Sequence, residues 1–273
     1  MVFFLTGKAA MIKAIFFDCD GTLLSHTTNR VPPSTIRSLR RLREQGIKVI
    51  LSTGRHRSEL KGLMQLKDLS FDGYITVNGA CCYHEDGILL ASTIPLEVLR
   101  KIHAWLKTHT LPIQFFLEEE NFINIVNETV IRSQAMIHTP VPPLGNVDRI
   151  LSEPVYLMVP FGIQDAMPLL AQLPGIAITT WNAHDALDVV NEAAGKDAGV
   201  RAFADYYGFQ KEELMAFGDA MNDCSMLEAV GTSVVMGNGT EELKQLADYV
   251  TDDIDADGVE HALIQLGVLS ADD

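Results

Sequence analysis

The chain has 273 residues and a mass of 30.1 kDa, with 47% hydrophobic residues and a formal net charge of −15. That length and apolar content support a sizeable core, held in one large domain or two ordinary ones. The acidic balance excludes a nucleic-acid backbone or an anionic membrane surface as the main partner, because no basic patch offsets it.

Cys19, Cys81, Cys82 and Cys224 lack metal-ligand spacing and make a poor disulfide framework, which points to a reducing, cytoplasmic setting. The opening Val2-Phe3-Phe4-Leu5 is too short for a signal peptide or a membrane span. Met11 is an alternative start, which leaves residues 1–10 as an extension without an assigned use.

In chain order, Ile12-Lys13-Ala14-Ile15-Phe16-Phe17 reads as a buried strand that ends in Asp18, Asp20 and Gly21. Alternation along a strand brings Asp18 and Asp20 to one side, where two like charges require a cation. A helix from Pro32-Pro33-Ser34 to Gly46 and a strand Ile47–Leu51 complete a βαβ unit, so the sheet is expected to be parallel. A helix over 56–66 leads to the strand Gly73–Val77, which closes on Asn78-Gly79-Ala80, and Asp86-Gly87 marks a hairpin.

From 88 to 185 the rhythm changes. A helix from Pro95, strands near 113–117 and 122–126, a proline-rich loop (Pro140, Pro142, Pro143), the strand Val155–Val159, a helix near 164–172 and the strand Ile176–Thr180 suggest an inserted α+β domain. The βα pattern resumes after 186. Lys196 opens a helix to Gly208, and the strand Glu213–Phe217 ends in Gly218-Asp219-Ala220-Met221-Asn222-Asp223. A strand at Val234-Val235, a helix near 240–247, a strand at Tyr249-Val250 and a helix over 258–266 finish the chain.

Asp18 at a strand tip can attack phosphorus, while Asp20 protonates the leaving oxygen and later deprotonates water. A calcium loop fits poorly, because positions 6 and 12 counted from Asp18 are Leu23 and Asn29. Asp-x-Asp also serves metal-dependent glycosyltransferases, so this segment alone leaves the chemistry open. Asp219 and Asp223, four apart, share a face if a helix begins there, and with Asp18 they would hold a hard cation such as Mg²⁺. Thr53-Gly54 offers a hydroxyl and backbone amides to phosphate oxygens, and Lys196 offers a point charge.

Asp-x-Asp-Gly-Thr, Thr-Gly-Arg, Lys and Gly-Asp-x-x-Asn-Asp, in this order and spacing, resemble the haloacid-dehalogenase (HAD) superfamily and its Cof-type sugar-phosphate phosphatases with a class IIB cap. Asn78-Gly79-Ala80 and Asp257-Gly258-Val259 extend the resemblance over nearly the whole chain. It implies Asp18 as nucleophile, Asp20 as acid and base, and a phosphoryl grip by Thr53, Gly54, Lys196 and Asn222. Mg²⁺ would sit on Asp18, the Asp20 carbonyl and Asp219, with Asp223 in support. Arg55 and Asn78 are candidate substrate contacts. One departure is Asp197, which stands where the family usually has glycine after the lysine.

The expected architecture is α/β: a doubly wound, mainly parallel Rossmann-like core (11–87 and 186–273) with an α+β cap (88–185). The expected activity is Mg²⁺-dependent hydrolysis of a small phosphorylated metabolite, with no nucleic-acid or membrane partner, by a monomer or weak homo-oligomer. A phosphomutase would use the same core, and formation of an isomeric sugar phosphate would reveal it. A non-catalytic binding protein would release no phosphate. The acidic run Asp252, Asp253, Asp255 and Asp257 reads as a solvated loop, Cys19 should point into the core, and His56, His184 and Trp181 are further candidates for substrate contact.

Overall fold

In the computed structural model, the described residues are 11–136, 139–181 and 185–271. His184 therefore lies outside the described residues, as does the extension 1–10. The elements run β1 (Ala14–Asp18), α1 (Pro33–Glu44), β2 (Lys48–Ser52), α2 (Arg57–Gly62), β3 (Gly73–Thr76), β4 (Cys81–His84) and β5 (Gly87–Ala91). Next come α3 (Leu96–Leu106), β6 (Ile113–Phe116), β7 (Asn121–Ile123), α4 (Glu128–Met136), β8 (Leu157–Pro160), α5 (Ile163–Leu170), β9 (Ile176–Thr180) and β10 (Leu187–Asn191). The chain ends with α6 (Lys196–Tyr207), β11 (Leu214–Gly218), α7 (Cys224–Glu228), β12 (Thr232–Val235), α8 (Glu241–Lys244), β13 (Tyr249–Val250) and α9 (Gly258–Gln265).

Two compact units result. Among the described residues, the first holds 11–54, Leu63–Leu89 and 195–271. Its sheet has the order β13-β12-β11-β1-β2-β3-β4-β5. The strands from β13 to β3 pair in parallel, and β4 runs antiparallel to β3. Every residue of β1 and β11 is buried, as parallel strands covered on both faces require. The register Asp18↔Ser52 and Phe17↔Phe217 aligns the carboxyl ends of β11, β1 and β2 on one edge, where open α/β sheets bind ligands. The mainly parallel sheet confirms the expected class.

The second unit comprises Arg55–Gly62 and Leu90–Ala194, with an antiparallel sheet of order β7-β6-β8-β10-β9. Alternate residues of its strands, including Phe115, Met158 and Val189, pack on Val98, Leu99 and Ile102 of α3 and Ala166, Leu169 and Leu170 of α5. Sequence places the return crossing at 185/186. The second sheet instead continues through β10, whose Leu187–Asn191 pair with β9, so the crossing falls after Ala194. An apolar run at a domain crossing suits either sheet, and only strand pairing decides between them. Helix α4 is unannounced by the sequence reading. Its signal is Asn127, whose Oδ1 accepts a hydrogen bond from the Val130 backbone as an N-cap does.

The expected helix over 56–66 is two pieces, α2 and a short 3₁₀ turn at Met64–Leu66. Segment 55–62 is grouped with the second unit for visible reasons. His56 Nε2–H donates to the Leu117 carbonyl at 2.6 Å, Arg57 and Lys61 both pair with Glu119 at 2.5 Å, and Asn121 Nδ2 donates to Ser58 Oγ at 3.2 Å. Both ring nitrogens of His56 are engaged inside this unit, Nδ1 with Ser58, and burial pulls its pKa down. Its role here is to hold the segment in place.

Asp188 on β10 accepts a hydrogen bond from Trp181 Nε1 at 2.7 Å, and burial pushes its pKa up to about 6. A carboxylate whose folded pKa lies above its unfolded value stabilises the fold below the unfolded pKa, and that stability is lost as pH rises through the folded one. The second unit should therefore weaken between about pH 4 and pH 6, by at most about 3 kcal/mol, less the screening from Asp188's residual contact with water. Asp188→Asn should flatten this slope. Urea unfolding at pH 4.5 and 7 checks it through tryptophan fluorescence, since both tryptophans, Trp105 and Trp181, lie in this unit.

Candidate active site

Three strand ends build the site. β1 delivers Asp18, β2 runs into Ser52-Thr53-Gly54, and β11 runs into Asp219. Asp18, Asp219 and Asp223 are buried, and their carboxylate oxygens lie within 4.8 Å of one another. Lys196, the first residue of α6, is 1% exposed and reaches into this group. Its Nζ donates to Asp18 Oδ1 at 2.6 Å, to Asp223 Oδ1 at 2.5 Å and to the Ser52 carbonyl at 3.4 Å. The second oxygen of Asp223 accepts from the backbone N–H groups of Asp219 at 3.0 Å and Ala220 at 3.2 Å. Thr22 Oγ1 donates to Asp219 Oδ1 at 3.2 Å.

The structure revises the sequence reading of the paired aspartates on two points. The carboxylates that converge are Asp18, Asp219 and Asp223, whereas Asp20 lies beyond β1 in a turn bridged to Leu24. Strand alternation does not extend to Asp20 because the strand stops at Asp18. Asp219 and Asp223 also meet without sharing a helix face. A 3₁₀ turn spans Met221–Asp223, α7 starts at Cys224, and the turn folds Asp223 back onto the Asp219 amide.

Electrostatics follow from burial. Asp18 is raised well above the ordinary carboxylate range by desolvation and by the neighbouring Asp223, with Lys196 opposing. Asp219 is pushed up to about 6, again by burial and then by Asp223. Burial alone would lower Lys196, but the fields of Asp18 and Asp223 outweigh it and keep the ammonium charged. The three carboxylates are only partly offset by Lys196. Hard, crowded oxygen donors with excess negative charge are the donor set that a divalent cation such as Mg²⁺ takes.

The other candidates fall as follows. Thr53 is buried, its N–H donating to the Ile75 carbonyl at 2.8 Å and its own carbonyl accepting from the Asn78 N–H at 3.1 Å. Asn222 is exposed in the turn before α7, and Arg55 opens the segment grouped with the second unit. Asp197 pairs with Arg201 one helical turn on, at 2.7 Å, so its charge is engaged on α6 itself. Asp197→Ala should accordingly cost no more than about 1 kcal/mol in unfolding free energy and leave turnover within about twofold of the parent, as steady-state assays and melting curves can check.

The acidic run 252–257 is structural rather than merely solvated. Asp253 caps a 3₁₀ turn, Asp255 accepts from Ser25 at 2.9 Å, and Asp257 accepts from Ser34 at 2.5 Å. Asn238 was not singled out from sequence, yet it ties the Gly21 carbonyl (2.8 Å) to the Ile254 amide (2.9 Å). No local signal marks it, because both partners are distant in the chain.

Buried carboxylates at adjacent ends of a parallel sheet, bridged by a buried lysine, make one charged cluster at the carboxyl edge of the sheet. The haloacid dehalogenase-like hydrolase family model matches residues 15–263, and the chain belongs to that family, as a phosphatase. It is 28% identical to the putative phosphatase YkrA of Bacillus subtilis over 94% of this chain and 98% of that one. It is 30% identical to an HMP-PP phosphatase of Serratia proteamaculans over 86% of this chain and 88% of that one. A solved HAD subclass IIB sugar phosphatase superposes with a TM-score of 0.81 at 34% identity, over 94% of this chain and all of the other. Among the described residues, no helix is long and apolar enough to cross a membrane.

Proposed function

We propose that the chain hydrolyses small phosphate monoesters, sugar phosphates foremost, through an aspartyl-phosphate on Asp18. The observation that carries this reading is the Lys196 ammonium, held between Asp18 and Asp223 at the carboxyl end of β1. A buried lysine in that place fixes the orientation of the Asp18 carboxylate and supplies positive charge for a phosphoryl group. Support also comes from the similarity to a sugar phosphatase, while the HMP-PP phosphatase relative marks a family spread over several small phosphorylated substrates.

In the first step an Asp18 oxygen bonds to phosphorus and the bond from phosphorus to the leaving oxygen breaks, with Asp20 giving that oxygen its proton. In the second, Asp20 takes a proton from water, the water oxygen bonds to phosphorus, and the bond to Asp18 breaks to release phosphate. The Thr53 hydroxyl, the Gly54 amide, Lys196 and Asn222 hold the phosphoryl oxygens. Asp18, the Asp20 carbonyl and Asp219 would hold Mg²⁺, with Asp223 behind them. Bound there, the ion supplies charge neutralisation for the phosphoryl group. Choice of the leaving group is assigned to the second unit, with Arg55 as a further substrate contact.

The test is release of free phosphate from a panel of phosphorylated metabolites, with Mg²⁺ and with a chelator. Mg²⁺-dependent release, strongest for sugar phosphates, is expected. No release from folded protein across the panel would remove the reading.

A further inference from the structure

Three consecutive residues after β3 have positive φ: Val77 at 53°, Asn78 at 51° and Gly79 at 92°. For a β-branched valine this region is a steric outlier, and asparagine merely tolerates it. The Asn78 Oδ1 atom is in addition buried without a hydrogen-bond partner. Strain and an orphaned acceptor both oppose folding, and they persist only where neighbouring structure overrides them.

The neighbours are the two phosphate-binding segments. The Asn78 N–H donates to the Thr53 carbonyl at 3.1 Å. Because C=O and N–H point in opposite directions across a trans peptide, this bond turns the Gly54 N–H away from Asn78. The Asn78 carboxamide lies against Gly54, where an added Cβ would sit 3.1 Å from Oδ1 and 3.3 Å from Nδ2. On the other flank, a Cβ on Gly79 would come within 2.0 Å of the Gly195 carbonyl oxygen and 2.9 Å of the Lys196 nitrogen. One turn thus abuts both the Thr53–Gly54 peptide and the start of the helix that carries Lys196.

We propose that the Val77–Asn78–Gly79 turn is a positioning element, which holds the Thr53–Gly54 peptide and the amino-terminal end of α6 in the relative placement that phosphoryl binding needs. The inference rests on the reading of Thr53, Gly54 and Lys196 as phosphoryl contacts. Relaxing the turn to right-handed φ would swing the Asn78 amide off Thr53 and open the gap at Gly195.

Asn78→Gly keeps the left-handed backbone with less strain and removes the carboxamide. Its melting temperature should equal or exceed the parent's, while KM and the inhibition constant of inorganic phosphate rise about tenfold, the scale of a modest misplacement. A merely structural role would instead lower the melting temperature and leave both constants unchanged. Gly79→Ala, with its Cβ driven into Gly195, should lose about 100-fold in kcat. Should Gly79→Ala fail to fold, Asn78→Gly alone decides. If the parent protein binds and releases phosphate but Asn78→Gly keeps KM and the phosphate constant within twofold, the positioning role is overturned. If the parent neither binds nor releases phosphate, that role and the phosphatase reading fall together.

Discussion

Asp18→Asn is expected to lose at least about 10⁴-fold in kcat, the scale on which removing a covalent nucleophile acts, with the fold intact. The exchange is nearly isosteric. Asparagine keeps an oxygen for the Lys196 ammonium, which donates to Asp18 Oδ1 at 2.6 Å, but a neutral amide cannot attack phosphorus. It also removes negative charge from a buried site where Asp223 and Asp219 already repel Asp18. Urea unfolding without added metal should therefore show a variant at least as stable as the parent. Turnover falls and stability does not.

Lys196→Met should lose both. The lysine side chain is 0% exposed and bonds Asp18 and Asp223 together. Methionine replaces much of the volume but none of the charge, and leaves two buried carboxylates facing each other. Removing one partner of a buried ionic group costs about 3–5 kcal/mol, far more than an exposed pair contributes. The expected result is a fall in unfolding free energy of that size, measured with a chelator present, together with loss of phosphate release. A variant as stable as the parent would mean that Lys196 does not neutralise the cluster.

These two outcomes separate what was legible in the sequence from what was not. Short apolar runs that stop at carboxylates, Ala14–Asp18 and Leu214–Gly218 followed by Asp219, announce parallel strands and their functional edge, because burial on both faces forces an unbroken apolar pattern. The helix from Lys196 to Gly208 is equally plain, since Gly208 ends it with a left-handed cap. Long-range partnerships are not plain. Lys196 and Asp18 stand 178 positions apart, and nothing local says that one ammonium would span two carboxylates. Nor does the sequence say that Asp197, the departure from the family pattern beside that lysine, pairs with Arg201 on its own helix. β10 is not announced and falls beyond the expected boundary at 185/186, as its Leu187-Asp188-Val189 pattern carries no label of its partner. The strain at Val77 was invisible, because valine is the last residue that sequence reasoning would place at positive φ.

The central claim is the covalent role of Asp18, and acid quench during turnover tests it most directly. Asp20→Asn should slow release of the phosphoryl group from the enzyme, since the second step lacks its base. Quenched during reaction with an aryl phosphate, whose leaving group departs without a proton from Asp20, and digested, this variant should yield the peptide containing Asp18 with the mass of one added phosphoryl group, and the same treatment of Asp18→Asn should yield none. Substrate turnover by Asp18→Asn at the parent rate, with no phosphorylated peptide in the Asp20→Asn variant, would contradict the account.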